Sequence, residues 1–317
     1  MSTFFVTDER MLKHRCEWDA HHIERPERLS RILSKLKSTG ILDECTKLSS
    51  RHATIDELTT VHDEEYVRKV ESTAGLTMLE QEDFSSQFED IYVNESTWDA
   101  ALLSAGCALE LTAAVWREGR GANGFAAIRP PGHHASRDQG CGFCLFNNVV
   151  LSAKQLPESA SKNEYENTLN VPLNRVGYGD FDYAALMHSI VLPVVGEWRP
   201  DIVLVSCGFD AAIGDPEGEM EVTPAGFAWM CGVLAAQEIP LVLLLEGGYF
   251  VESVAECAHS VLRALIERFR IDCKLEHPFR LSSFEQKFHR LDGKATIVSA
   301  ELAAAVGSLP EINGLFN

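Results

Sequence analysis

Three short apolar runs constrain this chain most. They are Gly124–Ile128 (GFAAI), Asp201–Ser206 (DIVLVS) and Pro240–Leu245 (PLVLLL). Their near-continuous apolar character, without in–out alternation, predicts strands buried on both faces. Thr168–Leu173 (TLNVPL) is a fourth strand candidate. Helical patterns fall around them at Ser30–Ser38, Ser96–Arg117, Phe181–Glu197, Pro224–Glu238 and Val251–Phe269. Strands alternating with helices predict an α/β fold with a mostly parallel sheet covered on both faces. Ligands of such sheets sit just beyond the carboxyl ends of the strands. Chemistry is therefore expected in the segments that follow each strand.

Those segments are RPPGHHASRDQGCGFCLFNN after the first run, CGFDAAIGDPEG after the second and EGGYFVES after the third. They bring histidine, aspartate and tyrosine toward one rim. His133 and His134 follow a stiff Pro-Pro-Gly and suit a general base with a helper, because imidazole titrates near neutral pH. A solvent-exposed pair is the alternative, and His21-His22 shows that such pairs occur elsewhere in the chain. Asp210 follows a buried strand, where a carboxylate can ligate a divalent metal. Capping the next helix is an equal alternative for Asp210, and Asp215 can serve it too. Tyr249 closes Glu246-Gly247-Gly248-Tyr249, where paired glycines let backbone approach a ligand and a phenol can donate to an oxyanion.

Composition narrows the partners. Acidic residues number 47 and basic residues 28, a formal charge of −19. That balance argues against direct nucleic-acid binding through phosphate neutralisation and suits a cationic partner. Apolar residues make up 45%, ordinary for a soluble protein with a sizeable core. No apolar run approaches the ~20 residues of a membrane span. The start, MSTFFVTDER, turns charged at once and has no apolar stretch of the secretory kind. Nine irregularly spaced cysteines predict reduced thiols in a cytoplasmic or nuclear protein. The absence of a basic import run leans toward the cytoplasm. Cys141 and Cys144 form a C-x-x-C, but no second such pair completes a zinc site, so the pair reads as a structural loop entering a helix.

Taken together, RPPGHHA, GFCLFNN, GFDAAIGDP and LEGGY resemble the zinc-dependent histone deacetylase family. HRCEWDAHHIERPERLSRI and RHATIDELTTVHDEEYV resemble its class II branch, with the closest likeness to tubulin- and polyamine-deacetylase members. The resemblance implies the three-layer arginase–deacetylase fold and Zn²⁺ held by two aspartates and one histidine. It implies that Asp210 is a metal ligand, His134 the general base, His133 an electrostatic helper and Tyr249 the oxyanion donor. Gly142, Phe143 and Gly248 would border the acyl-lysine tunnel. The implied substrates are acetylated lysine-rich proteins, such as histone tails or tubulin, or an acetylpolyamine. No membrane is implied.

The chain departs from the family at one place. Between GFCLFNN and GFDAAIGDP the family carries a strand ending in D-x-D-x-H-H-G, which supplies the other aspartate and the histidine ligand. No Asp-x-His occurs between Cys144 and Asp210 here, and the histidine of that interval is His188, inside a helical pattern. LPESASKNEYEN resembles the loop after the following strand, so a segment of roughly fifty residues and two strands is missing near residues 155–157. An unpaired sheet edge or a cavity is expected in its place. Asp180 and Asp182 read as helix-start caps and not as substitute ligands. Residues 1–272 are then an internally shortened deacetylase-like domain and 273–317 a helical tail. The expected activity is weak or absent, with a non-catalytic binding module or a non-functional product as alternatives.

Overall fold

The structure, a computed structural model, describes residues 2–157, 168–267 and 295–299. The chain opens with β1 (Thr3–Val6) and α1 (Glu27–Thr39), then β2 (Thr46–Lys47). Three short helices follow, α2 (Ile55–Leu58), α3 (Glu64–Glu71) and α4 (Met78–Ser85), and then the long α5 (Thr97–Glu118). Next come β3 (Asn123–Ala126), α6 (Asn148–Lys154), α7 (Asp180–Leu186) and α8 (Leu192–Trp198). The order closes with β4 (Ile202–Cys207), α9 (Pro224–Ala235), β5 (Leu241–Leu245), α10 (Val251–Glu267) and β6 (Ala295–Ser299).

The described strands form one sheet in the order β2-β1-β3-β5-β4-β6, every pair parallel. Residues of β1, β3, β4 and β5 are all buried, as continuous apolar runs require of a sheet covered on both faces. α5 packs against β1, β3 and β5, while α10 packs on β3 and against α1 and α9. Leu103, Cys107, Leu111 and Val115 of α5 join the main core, whereas Ala101, Ala105 and Leu109 join a second cluster with Tyr66, Val67 and Phe146. The helix is thus apolar all round because it lies between two cores. It is the one described helix long and apolar enough to cross a membrane, contrary to the expectation of no such run, and its apolar window is 67% buried inside the protein.

Three further expectations change. Thr168–Leu173 forms no regular element. Pro172 within it has no amide hydrogen to give a ladder. The single helix expected over Phe181–Glu197 is α7 and α8 joined by a wider π turn at Met187–Val191. Pro193 lies in the first turn of α8, and its missing N–H and ring are what that wider turn accommodates. The outer edge of β4, expected to be open, is covered by β6 in register from Ile202↔Ala295 to Ser206↔Ser299. These five residues lie within the tail read as helical; the rest of the tail, the loop at 158–167 and the last two residues of the Val251–Phe269 pattern lie outside the described residues.

Leu243 is fully buried in β5, between Phe125 of β3 and Val205 of β4. Leu243→Ala should cost about 2–5 kcal/mol of unfolding free energy, read from urea denaturation, through lost transfer and the cavity left behind. A loss below about 1 kcal/mol would mean that the sheet does not pack as described.

Candidate active site

The site is built from three loops at the carboxyl ends of β3, β4 and β5. The first carries His133 and His134. Gly132 N–H and His133 N–H both donate to Glu246 Oε2, at 2.7 and 3.3 Å, and His133 Nδ1 lies 2.9 Å from the same oxygen. The Ser206 hydroxyl donates to the other oxygen at 3.1 Å. Glu246 is fully buried, so these contacts replace the water it has lost. The His133 and His134 rings are tilted against each other with centroids 3.9 Å apart. Asn147, the N-cap of α6, ties this loop down by donating to the carbonyls of His133 and Ala135.

Farther along the same loop, Cys141–Cys144 is a tight turn closed by reciprocal backbone bonds between its two cysteines. Gly142 and Phe143 both take the left-handed conformation, φ +51° and +67°. That is costly for Phe143, by roughly 1–2 kcal/mol. Backbone bonds from Gly142 to Glu89 and from Phe143 to Asp90 hold the pair there. A side chain at Gly142 would lie 2.8 Å from His134 Cδ2, so the glycine lets the turn press against the histidine. The Phe143 ring meets Tyr249 edge-on at 5.6 Å and His22 at 5.1 Å. His22 therefore stands in the aromatic wall, a place that its sequence context left open. The structural reading of the C-x-x-C holds for the turn itself. Cys141 faces Glu89, while Cys144 is buried with its sulfur 3.9 Å from His133 Nδ1. Burial is the main influence on the Cys144 thiol and pushes it up to about 11, with His133 acting against it.

Asp210 and Tyr249 meet across Gly247. A Cβ on Gly247 would sit 2.0 Å from Asp210 Oδ2 and 3.1 Å from Tyr249 Oη, so only glycine lets both polar groups reach this point. Gly248 takes φ +106° and packs on Phe209. The alternative cap roles fall away, since α9 is capped by Thr223. Asp215 instead accepts from the N–H groups of Tyr249 and Phe250 at 2.6 and 3.2 Å, which fixes the tyrosine's backbone. Asp182 accepts from Gly179 N–H at the start of α7, as expected of a cap, whereas Asp180 accepts from the Thr223 N–H and hydroxyl at the start of α9. The structure thus brings His133, His134, Gly142, Phe143, Asp210, Gly248 and Tyr249 to one end of the sheet.

Beneath them lies a buried ion cluster that motif reading missed. Glu24 accepts from Arg129 through both oxygens, at 3.0 and 2.6 Å, and from Arg28 Nη1 at 2.8 Å. The Tyr92 hydroxyl also donates to it. Arg28 turns its remaining nitrogens to the carbonyls of Glu246 and Gly248 and lies 5.1 Å from the Tyr249 ring centroid. Arg129 binds the carbonyls of Met11 and His14. Burial works to raise the Glu24 carboxyl, but Arg129 and Arg28 outweigh it and hold the group well below the usual carboxylate range. His14 stacks on Tyr92, and burial, followed by Arg129, lowers its imidazole to about 3.

A parallel sheet between helices with its polar side chains at the strand ends defines an α/β protein of the arginase–deacetylase fold. The histone deacetylase domain model matches residues 22–164 and 157–265, and the chain belongs to the histone deacetylase family. It is 36% identical over 325 residues to the polyamine deacetylase HDAC10 of Homo sapiens, covering 84% of this chain and 48% of that protein. It is 32% identical over 338 residues to histone deacetylase 5 of Arabidopsis thaliana, covering 86% of this chain and 50% of that protein. The chain thus spans about half the length of these relatives. The crystal structure of the HDA15 HD domain superposes with a TM-score of 0.72 at 32% identity, covering 84% of this chain and 88% of that one. The two stretches of the family match overlap at residues 157–164.

The family's zinc ligands, as the resemblance implies them, do not fit this chain. Of two aspartates and a histidine it carries Asp210, and Asp180 and Asp182 are engaged elsewhere. Among the described residues, the one group of three metal-capable side chains is His133, Cys144 and Glu246, and Asp210 is not in it.

Two outcomes follow from the ion cluster. Glu24→Gln removes one charge from a buried pair and strands two guanidinium groups, so unfolding free energy should fall by about 3–5 kcal/mol in urea titrations; a change under about 1 kcal/mol would contradict the cluster. Between about pH 6.5 and 3 the unfolded state protonates His14 while the folded state does not. Stability should therefore drop as pH falls from 6.5, by up to ~1.4 kcal/mol per pH unit from this group. His14→Gln should flatten that slope above about pH 5.5, where carboxylates are almost fully ionised in both states; an unchanged slope there would remove His14 from the account.

Proposed function

We propose that this chain is a lysine deacetylase family member that binds an acetylated amine side chain and hydrolyses its amide weakly or not at all. The observation that carries this reading is the pairing of a retained rim with a missing ligand set. Phe143, Gly142 and Gly248 would border the acyl chain. His134 would be the general base and His133 its helper, with Glu246 gripping His133 Nδ1. Tyr249 would donate to the oxyanion. Asp210 would need a second carboxylate and an imidazole to hold zinc at the three protein ligands of catalytic sites, and the stretch from Cys144 to Asp210 has no Asp-x-His. Without the polarising ion, the tyrosine and histidines face an amide carbonyl with several kcal/mol of charge stabilisation gone.

The substrate class is an acetylated lysine in a basic protein segment. The formal charge of −19 favours cationic ligands of this kind. An acetylpolyamine is the second reading, favoured by the 36% identity to a polyamine deacetylase.

Acetate release from an acetyl-lysine histone-tail peptide and from an acetylated polyamine tests both. Expected is a rate that neither a chelator nor Tyr249→Phe changes. A zinc-dependent rate that falls by about 10²–10³ in Tyr249→Phe would overturn the proposal, because that is what an oxyanion donor contributes in a working site.

A further inference from the structure

We infer that Cys144, His133 and Glu246 form a metal site of their own, selective for a thiophilic divalent cation such as Zn²⁺ or Co²⁺. The three donor atoms lie within 4.8 Å of one another. His133 Nδ1 is 2.9 Å from Glu246 Oε2 and 3.9 Å from Cys144 Sγ. Tetrahedral zinc, with bonds of about 2.0–2.3 Å to nitrogen, oxygen and sulfur, separates such donors by roughly 3.3–3.8 Å. The His133 to Glu246 contact is shorter than that range and the others reach up to 4.8 Å, so an ion needs side-chain shifts of up to about 1 Å.

The surroundings favour an ion of this kind. Thiolate, imidazole and carboxylate together select a soft or borderline metal over Mg²⁺ or Ca²⁺. Glu246 is already oriented by Ser206 and by the Gly132 amide. Such supporting bonds fix a ligating carboxylate in place. Cys144 is held in the closed Cys141–Cys144 turn. His133 is the least buried of the three, with 11% of its side chain accessible. The loop that would have been shared with the family centre thus has a second use that does not need Asp210.

Binding changes protons in a defined way. The metal takes the place of the hydrogen between His133 Nδ1 and Glu246, so a neutral His133 carries its proton on Nε2 instead. Cys144 loses its thiol proton to solvent and binds as thiolate. One proton is released per ion, and affinity should rise about tenfold per pH unit while the free thiol remains protonated.

The test is Co²⁺ titration of the full chain, followed by near-ultraviolet absorption for thiolate-to-cobalt charge transfer. Expected is one cobalt per chain with that band. The band should vanish in Cys144→Ser and weaken in Glu246→Gln, and it should persist in Cys141→Ser and Asp210→Asn. Circular dichroism spectra matching the unaltered chain show that each variant is folded; should Cys144→Ser not fold, the Glu246→Gln spectrum together with the two persisting variants decides. No bound cobalt, cobalt without a thiolate band, or a band that survives Cys144→Ser and is lost in Asp210→Asn would each overturn the inference.

Discussion

One buried carboxylate organises the end of the sheet where the polar residues gather. Glu24 and its two arginines have no access to water, and the cluster carries one more positive charge than negative. The excess is spread over backbone carbonyls: Arg28 binds those of Glu246 and Gly248, and Arg129 those of Met11 and His14. Carbonyl oxygens thus complete what a single carboxylate leaves unsatisfied. The consequence for the site is positional. The same guanidinium that neutralises Glu24 holds the Glu246-Gly247-Gly248 backbone, and through it Glu246 reaches His133 and Tyr249 reaches the Asp210 side of Gly247.

The loops of the site divide along the same lines. The loops after β3 and β5 are tied to each other through Glu246, and its carbonyl to the ion cluster through Arg28. The loop after β4 is different. By the family resemblance Asp210 would need a second carboxylate and an imidazole for metal chemistry, and the stretch from Cys144 to Asp210 has no Asp-x-His. The outer edge of β4 is paired with β6 from the far end of the described chain, so the backbone groups of β4 have a ladder on both sides. A sheet edge accepts any strand of suitable register, whereas a metal centre requires particular side chains at particular positions.

Much of this was legible in the sequence, for reasons that differ by element. The strands at Asn123–Ala126, Ile202–Cys207 and Leu241–Leu245 were readable because burial on both faces leaves an uninterrupted apolar run. The loop residues were readable through their Gly-Gly and Pro-Pro contexts, which place backbone close to polar groups. The Glu24–Arg129 pair was not, since its members are 105 residues apart and each looks like an ordinary charged residue locally. Glu246 was visible as part of a motif, but its grip on His133 depends on β3 and β5 being neighbours, which is a tertiary fact. The tail strand was also hidden, because five residues of ATIVS gain meaning only beside an edge that needs a partner.

The central claim is that Asp210 does not hold zinc by the family's arrangement in this chain. Anomalous diffraction at the zinc absorption edge, from crystals grown with the metal, locates any ion directly. The account predicts no anomalous peak at coordination distance from the Asp210 carboxylate. A peak there, with two further ligands from side chains of the same polypeptide, would contradict it.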